Sequence, residues 1–394
     1  MNKLLIIGID GGATKVNAWE TVFDEKNKFF SLGQFHSEKK YSEIPGFLET
    51  FKPVDVKLQL EQQGDKPIPV TKNEMQQETV YVEACAHVIE KIVNEKGINQ
   101  VLIGLGMPGL KTADKRGIGV VANGPRMINY SNLLEQRLQS VNIELISPID
   151  HLGSDADYCG IGENFSDIGA LKDYDNVYYL GGGTGVADAL KIDAELIPLD
   201  NTKEWFAKTW EFMSDEGKSL ERYCSANGIQ SIYAELAAKE VSELNKAGIF
   251  PPQIAQLANE GDKHAKHTFD ILVNKLSHLL YSRITTLFAG WQNNFNFMNA
   301  NRPTLNTSHP HLGKYFDKIV VGQRLGDLYN SEDTASLLKL PLLGKLKNLI
   351  SKSSVLDTAA KDYYTNIEQV ITVSKLRDAP ALGAGIDAFF SWQD

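Results

Sequence analysis

"LLIIGIDGGATKVNAW", Leu4 to Trp19, decides how this chain is read. An apolar strand runs into Asp10, two glycines follow, and Thr14 and Lys15 close the turn. Glycines after a strand let backbone N–H groups approach an anion, and a following Thr or Lys adds donors and charge. A carboxylate at such a turn repels a phosphate unless a cation intervenes. Mg²⁺ is the natural cation, because it binds phosphate oxygens, waters and one or two carboxylates. The competing reading is a type I′ Asp-Gly hairpin turn. A second stretch, "NVYYLGGGTG" (176–185), repeats the design of an apolar strand ending in glycines and Thr. Two such turns, one carrying an Asp, fit a nucleotide's phosphates held between two lobes, with Asp10 there for the metal.

At 394 residues the chain is too long for one core and suits two domains. Apolar content of 42% and aromatic content of 9% exclude a disordered chain. A formal charge of −10 argues against a nucleic-acid surface and suits a small-molecule protein. Cys85, Cys159 and Cys224 are widely spaced and fit no metal pattern, which points to a reduced compartment. No stretch reaches the roughly 20 apolar residues of a membrane span. Met1-Asn2-Lys3 and the following apolar run imitate a secretory leader, but the run ends at Asp10 without a cleavage site. The expected location is the cytoplasm.

The pattern predicts strands at 4–9, within 17–36, at 101–106, 143–149, 176–185 and 318–322. Helices are expected at 79–95, near 131–140, from 153, through most of 204–292, and at 378–390. Such alternation implies an α/β architecture. Residues 37–78 read as an insertion or flap in which "VDVKLQL" could form an extra strand, and the Asn-rich 293–315 reads as a surface loop. The expected domains are 1–150, with the closing helix 378–394 packing back on it, and 151–377.

"GLGMPG" (104–109) matches G-x-G-x-x-G, but Pro108 removes a donor and no ribose-binding acid follows, so a structural turn is the better reading. No Walker motif occurs in these turns. His264 and His267 sit at metal-ligand spacing among charged neighbours and read as a solvated helix face. His309-Pro-His311 lacks a third ligand. Trp205 and Trp210 could wall a ligand or pack in the core.

Asp10–Lys15 resembles the first phosphate motif of the sugar-kinase/Hsp70/actin superfamily, and the chain as a whole resembles a ROK-type (repressor, open reading frame, kinase) sugar kinase. The stretch "LIGLGMPGLKTADKRGIGVVANGPRM" (102–127) is similar to that family's G-x-P-G turn and Asn-x-Pro sugar segment. "SDADYCGIGE" (154–163) resembles its catalytic helix start, and "LGGGTGVADAL" its second phosphate motif. "IVVGQRLGDLY" (319–329) and "DAPALGAGIDAF" (378–389) resemble its adenosine-side strand and closing helix. The resemblance implies a two-lobed, actin-like ATPase fold with ribonuclease H-like lobes and a nucleotide cleft between them.

By position it implies Asp155 as catalytic base. Asn123, Ser154, Asp155 and Glu221 become substrate contacts. Asp10, Gly11, Gly12, Thr14, Lys15, Gly182, Gly183, Thr184 and Gly322 become ATP or phosphate contacts. Mg²⁺ would be held by Asp10, directly or through water. The family's zinc motif is missing: "KEWFAKTWEFMSDEGKSLERYCS" has no His and one Cys, so no zinc is expected. Gln323-Arg324 replaces the usual further glycines near adenosine, and Ser154 an Asn. The implied activity is ATP-dependent phosphorylation of a hydroxyl on a hexose, N-acetylhexosamine or cyclitol. Its partner is a small molecule, with no nucleic acid or membrane involved and a homodimer left open. A non-catalytic sugar or nucleotide sensor is the alternative, and a chaperone- or actin-like ATPase ranks third.

Overall fold

The computed structural model describes residues 4–64 and 67–393. Strand β1 (Leu5–Gly11) buries Ile7 and Ile9 completely and forms an antiparallel meander with β2 (Lys15–Asp24) and β3 (Phe29–Lys40). Helices α1 (Val56–Gln62) and α2 (Lys72–Lys96) lead to β4 (Gln100–Gly106), which lies parallel to β1. A small hairpin, β5 (Leu110–Lys111) and β6 (Ile118–Val120), precedes α3 (Tyr130–Ser140). Short strands β7 (Glu144–Leu145) and β8 (Leu152–Gly153) both pair with β4, and α4 (Asp155–Phe165) follows. The sheet order is β3-β2-β1-β4-β7, with β8 also on β4.

The second half repeats this plan. Strands β9 (Val177–Gly182), β10 (Val186–Ile192) and β11 (Glu195–Ile197) form another antiparallel meander. After β12 (Phe212–Met213) come helices α5 (Ala226–Leu236), α6 (Val241–Lys246), α7 (Pro251–Asn259) and α8 (Lys263–Ala289). Strand β13 (Asn296–Phe297) pairs with β12, and β14 (Lys318–Gly322) lies parallel to β9. Helices α9 (Gln323–Asn330), α10 (Leu340–Ser351), α11 (Thr358–Tyr363) and α12 (Ile367–Val370) lead to β15 (Ile371–Val373), giving the order β11-β10-β9-β14-β15. The echo between the two glycine turns is thus an echo of whole sheets. Helix α13 (Ala379–Gln393) closes the chain.

Residues up to Ile168 and from Asp378 onward form one compact unit, and Gly169–Arg377 the other, each with its own apolar core. The division falls after 168 rather than after 150 because α4 packs tightly on α13. A Cβ at Gly162 would stand 2.4 Å from the Ala379 carbonyl oxygen, and one at Gly383 1.9 Å from that of Tyr158. Only glycine permits that approach.

Four expectations change. "VDVKLQL" is helix, not strand: Asp55 caps it by accepting from the N–H groups of Lys57 and Leu58, and its alternation inverts, with Gln59 inside and Leu58 and Leu60 exposed. Helix α2 starts at Lys72 rather than 79, because Thr71 and Glu74 form a capping box. The strand expected at 143–149 shrinks to Glu144–Leu145, and the helices expected from 204 begin only at Ala226, after short 3₁₀ turns. No helix among the described residues is long and apolar enough to cross a membrane.

Candidate active site

Asp10 is a ladder residue, not a turn residue. It lies opposite Asn17 on β2 and beside Gly106 on β4. The turn proper is Gly12–Thr14, closed by the Gly12 N–H donating to the Lys15 carbonyl at 2.9 Å. Two tyrosines hold it from below: the Tyr41 hydroxyl donates to the Gly12 carbonyl (3.1 Å) and the Tyr81 hydroxyl to the Ala13 carbonyl (3.0 Å). Tyr41 is further tied to the turn, since its N–H donates to the Thr14 carbonyl at 3.1 Å. Thr14 stays exposed at the tip. Met107, within the "GLGMPG" stretch, is buried and fills the space beside Gly11.

Asp155 opens α4, where its Oδ1 accepts from the Ala156 N–H at 3.0 Å. Ser154 is the N-cap, accepting from the Asp157 N–H at a long 3.5 Å. Asp10 and Asp155 come within electrostatic reach of each other, joined by Asp378, which precedes α13. The Asp10 carboxyl is pushed up to about 7, first by burial, then by the charges of Asp155 and Asp378, with Lys15 opposing. Lys15 offsets little because its ammonium pairs with Glu38. Asn17 donates its amide to Asp378 at 2.9 Å, fixing that carboxylate near β1. Asp378 escaped the sequence reading. It is visible only as the first residue of the closing-helix motif, and nothing local says that this helix returns to β1.

Such a donor set fits a divalent cation that arrives with phosphate oxygens: one half-buried carboxylate held near neutrality, and the nearest lysine engaged elsewhere. Among the described residues no group of three or more His, Cys, Asp or Glu side chains is arranged to hold a metal alone. Asn123 is exposed on the loop after β6, apart from the acidic group's hydrogen bonds.

In the second unit the turn Gly183–Gly185 closes with the Gly183 N–H donating to the Gly185 carbonyl at 2.9 Å, and Thr184 is exposed. The Ala226 N–H donates to the Gly183 carbonyl at 2.9 Å, docking α5 on the turn. Glu221 sits in the 3₁₀ turn before α5 with its carboxylate against the glycine turn: a Cβ at Gly185 would lie 2.8 Å from Oε1. Arg222, its neighbour, pairs instead with Glu235 at 2.6 Å. Gly322 ends β14 beside Gly181. Gln323, where the resemblance expects glycine, takes a left-handed φ of +56°, a conformation costing an L-residue roughly 1–2 kcal/mol. Its side-chain oxygen reaches over Gly183. A cavity of about 590 Å³ opens next to it, lined by Asn227, Gln230, Phe250, Gln253, Arg324 and Leu325 among others.

The segment without the zinc motif is held by a buried arginine. Arg283 Nη1 donates to the Ala207 carbonyl (2.7 Å) and Nη2 to Thr209 Oγ1 (3.0 Å), while the guanidinium pairs with Asp188 at 3.3 Å. Asp188 also accepts the Thr209 N–H at 2.8 Å, and the rings of Phe206 and Phe212 lie 4.3 and 4.9 Å from the guanidinium carbon. Trp205 is buried and stacks on His309 at 4.2 Å, whereas Trp210 is exposed. His309 donates from Nε2 to the Thr286 carbonyl and accepts the His311 N–H at Nδ1; burial lowers its pKa, so it is a neutral packing residue. His264 and His267 lie on α8, His267 exposed. The three cysteines are buried free thiols.

No protein-family model matches the chain, and no curated protein matches it. Solved structures match over its whole length. A ROK family glucokinase from Streptomyces griseus, in complex with glucose and AMPPNP, aligns with a TM-score of 0.58 at 16% identity, covering 98% of this chain and 99% of that one. A ROK hexokinase from Thermus thermophilus aligns with a TM-score of 0.55 at 15% identity, over 99% and 100%. A ROK family transcriptional regulator, homologous to the E. coli MLC protein, aligns with a TM-score of 0.53 at 11% identity, over 98% of this chain and 78% of that one. The chain therefore has the actin-like ATPase fold that these ROK proteins share.

Proposed function

We propose that this protein is an ATP-dependent kinase that phosphorylates a hydroxyl of a hexose, N-acetylhexosamine or cyclitol. The observation that carries the reading is the pairing of Asp155, at the start of α4, with Asp10 at the first glycine turn. It occurs in a fold shared with a glucokinase bound to glucose and AMPPNP.

Asp155 accepts the proton of the acceptor hydroxyl as its oxygen attacks the γ-phosphorus. Mg²⁺ near Asp10 would neutralise phosphate charge when bound. The glycine turns at Gly11–Gly12 and Gly182–Gly183, whose lack of side chains admits a phosphate, and the hydroxyls of Thr14 and Thr184 at their tips orient the phosphates. Lys15 must leave Glu38 to assist them. Asn123, Ser154 and Glu221 bind acceptor hydroxyls; the Ser154 hydroxyl can donate while its oxygen caps α4. Adenosine enters the cavity beside Gly322 and Gln323, whose size suits a base and ribose and which adjoins the second glycine turn through Ala226.

Asp155→Asn tests the reading. The variant should lose about 10²–10⁴ in kcat while binding ATP and sugar as before, by calorimetry. Retention of half the wild-type rate removes Asp155 as the base. A non-catalytic sensor is the second reading, favoured by the regulator that shares the fold. Sugar-stimulated ATP turnover by the purified protein separates the two.

A further inference from the structure

The segment 37–78, without an assigned role in the sequence, grips the loop that carries Asn123 at both ends. Gln59 on α1 is fully buried, although the helix has Leu58 and Leu60 to offer instead. Its amide pairs with the backbone of Val121 as a neighbouring strand would. The Val121 N–H donates to Oε1 at 2.8 Å, and Nε2 donates to the Val121 carbonyl at 3.0 Å. The remaining Nε2 hydrogen goes to the Val54 carbonyl at 2.7 Å. On the other side of Asn123, Arg126 is 2% exposed and forks onto Glu74 with bonds of 2.7 and 2.9 Å. Its third nitrogen reaches Gln62 at 2.7 Å. Glu74 is itself locked by the Thr71 capping box. Burial alone would raise its pKa, but Arg126 and Thr71 outweigh that and hold it below the usual value.

Between these anchors Asn123 is exposed. Fully satisfied buried polar groups select one geometry, because any displacement leaves a donor or acceptor unpaired. A helix that buries Gln and exposes two Leu breaks the apolar-inside rule, and such breaks concentrate where function demands them. We infer that α1 and the first turn of α2 are the device that sets acceptor specificity, with Gln59, Gln62 and Glu74 as positioning residues for Asn123. The inference rests on the reading of Asn123 as an acceptor contact.

The test compares Gln59→Leu, which keeps the volume but removes both bonds to Val121, with Ile92→Ala, a core truncation elsewhere on α2. ATP and a panel of hexoses and N-acetylhexosamines serve as substrates. A positioning role predicts that Gln59→Leu raises the acceptor KM about ten-fold or reorders the panel, with the ATP KM within about two-fold. Ile92→Ala should lower Tm and leave the acceptor KM alone. Gln59→Glu retains Oε1 for the Val121 N–H and should fall between wild type and Gln59→Leu, which serves if the Leu variant does not fold. Unchanged acceptor KM and ranking in Gln59→Leu overturn the inference. Should wild type phosphorylate nothing in the panel, the kinase reading fails and hydrogen–deuterium exchange decides the clamp. Faster exchange confined to 118–127 in Gln59→Leu supports it, and unchanged exchange at Val121 overturns it.

Discussion

Tyr41 and Tyr81 stack face to face, ring centroids 3.6 Å apart at 15°, and each spends its hydroxyl on a carbonyl of the first glycine turn. Those two bonds, with the Gly12 N–H spent on the Lys15 carbonyl, fix the turn that carries the exposed Thr14 at its tip. Burial raises both phenols, Tyr81 to about 12, so both remain donors through the physiological range. Replacing either by Phe leaves one carbonyl short of a donor, a loss of roughly 0.5–1.5 kcal/mol. The expected result for Tyr41→Phe/Tyr81→Phe is a several-fold rise in the ATP KM at constant acceptor KM. A rise in acceptor KM alone, in steady-state assays varying each substrate, counts against this role.

Asp10→Asn should abolish phosphoryl transfer and yet stabilise the ligand-free protein. The sign follows from linkage. A carboxyl whose folded pKa is about 7, above its ordinary 3.8, binds protons more tightly when folded, so stability is lost as pH rises between those values. Asn removes that loss, which amounts to roughly 1–3 kcal/mol above neutrality after allowance for solvent screening. Thermal melts at pH 5 and 8 check it: the gap between the two proteins should be smaller at pH 5, where only part of the loss has accrued, than at pH 8. A variant less stable than wild type at pH 8 would contradict a destabilising Asp10 charge.

His151 donates from Nε2 to Asp387 at 2.8 Å, and the same carboxylate accepts the Tyr158 hydroxyl at 2.9 Å. That hydrogen bond, ahead of the opposing effect of burial, raises the His151 pKa above its ordinary 6.5. Its contribution is therefore complete below about 6.5 and disappears as pH rises through the raised value. Because both side chains keep partial exposure, the pair contributes only about 0–1 kcal/mol. Urea melts of Asp387→Asn against wild type should show a gap at pH 6 that narrows by pH 8.5. A gap that widens with pH would exclude the ion pair as its source.

Arg283 on α8 and Asp188 on β10 tie down the 203–218 region through Ala207 and Thr209. Arg283→Met leaves Asp188 buried without its cation, so a loss of about 3–5 kcal/mol is expected. The purified protein should contain no stoichiometric zinc, and chelators should leave its Tm unchanged. One zinc per chain by elemental analysis would send the search to His264, His267, His309 and His311. Near-wild-type stability of Arg283→Met would show that the aromatic packing suffices.

Local chemistry made the glycine turns and the strands leading into them readable, because glycine spacing and apolar runs act within a few residues. The order of motifs along the chain carried the fold. What failed was the reading of 54–60 by alternation: Gln59 is buried because Val121, far along the chain, supplies a backbone partner. The capping box at Thr71 and Glu74 is a local signal and sets the start of α2 at Lys72, ahead of where apolar periodicity alone begins.

By itself, the sequence determined that two strand-and-glycine-turn designs exist, that one carries Asp10, and that Asp155 opens a helix. Those are properties of neighbouring residues and of backbone preference. Only tertiary structure decided that Asp378 joins Asp10 and Asp155, that Lys15 pairs with Glu38, and that Tyr41 and Tyr81 brace the turn. Those juxtapositions depend on α13 settling close on α4 through Gly162 and Gly383, and on β3 placing Glu38 beside Lys15. Contacts between residues distant in sequence are selected by packing and by the satisfaction of buried polar groups, and neither is written in any local pattern.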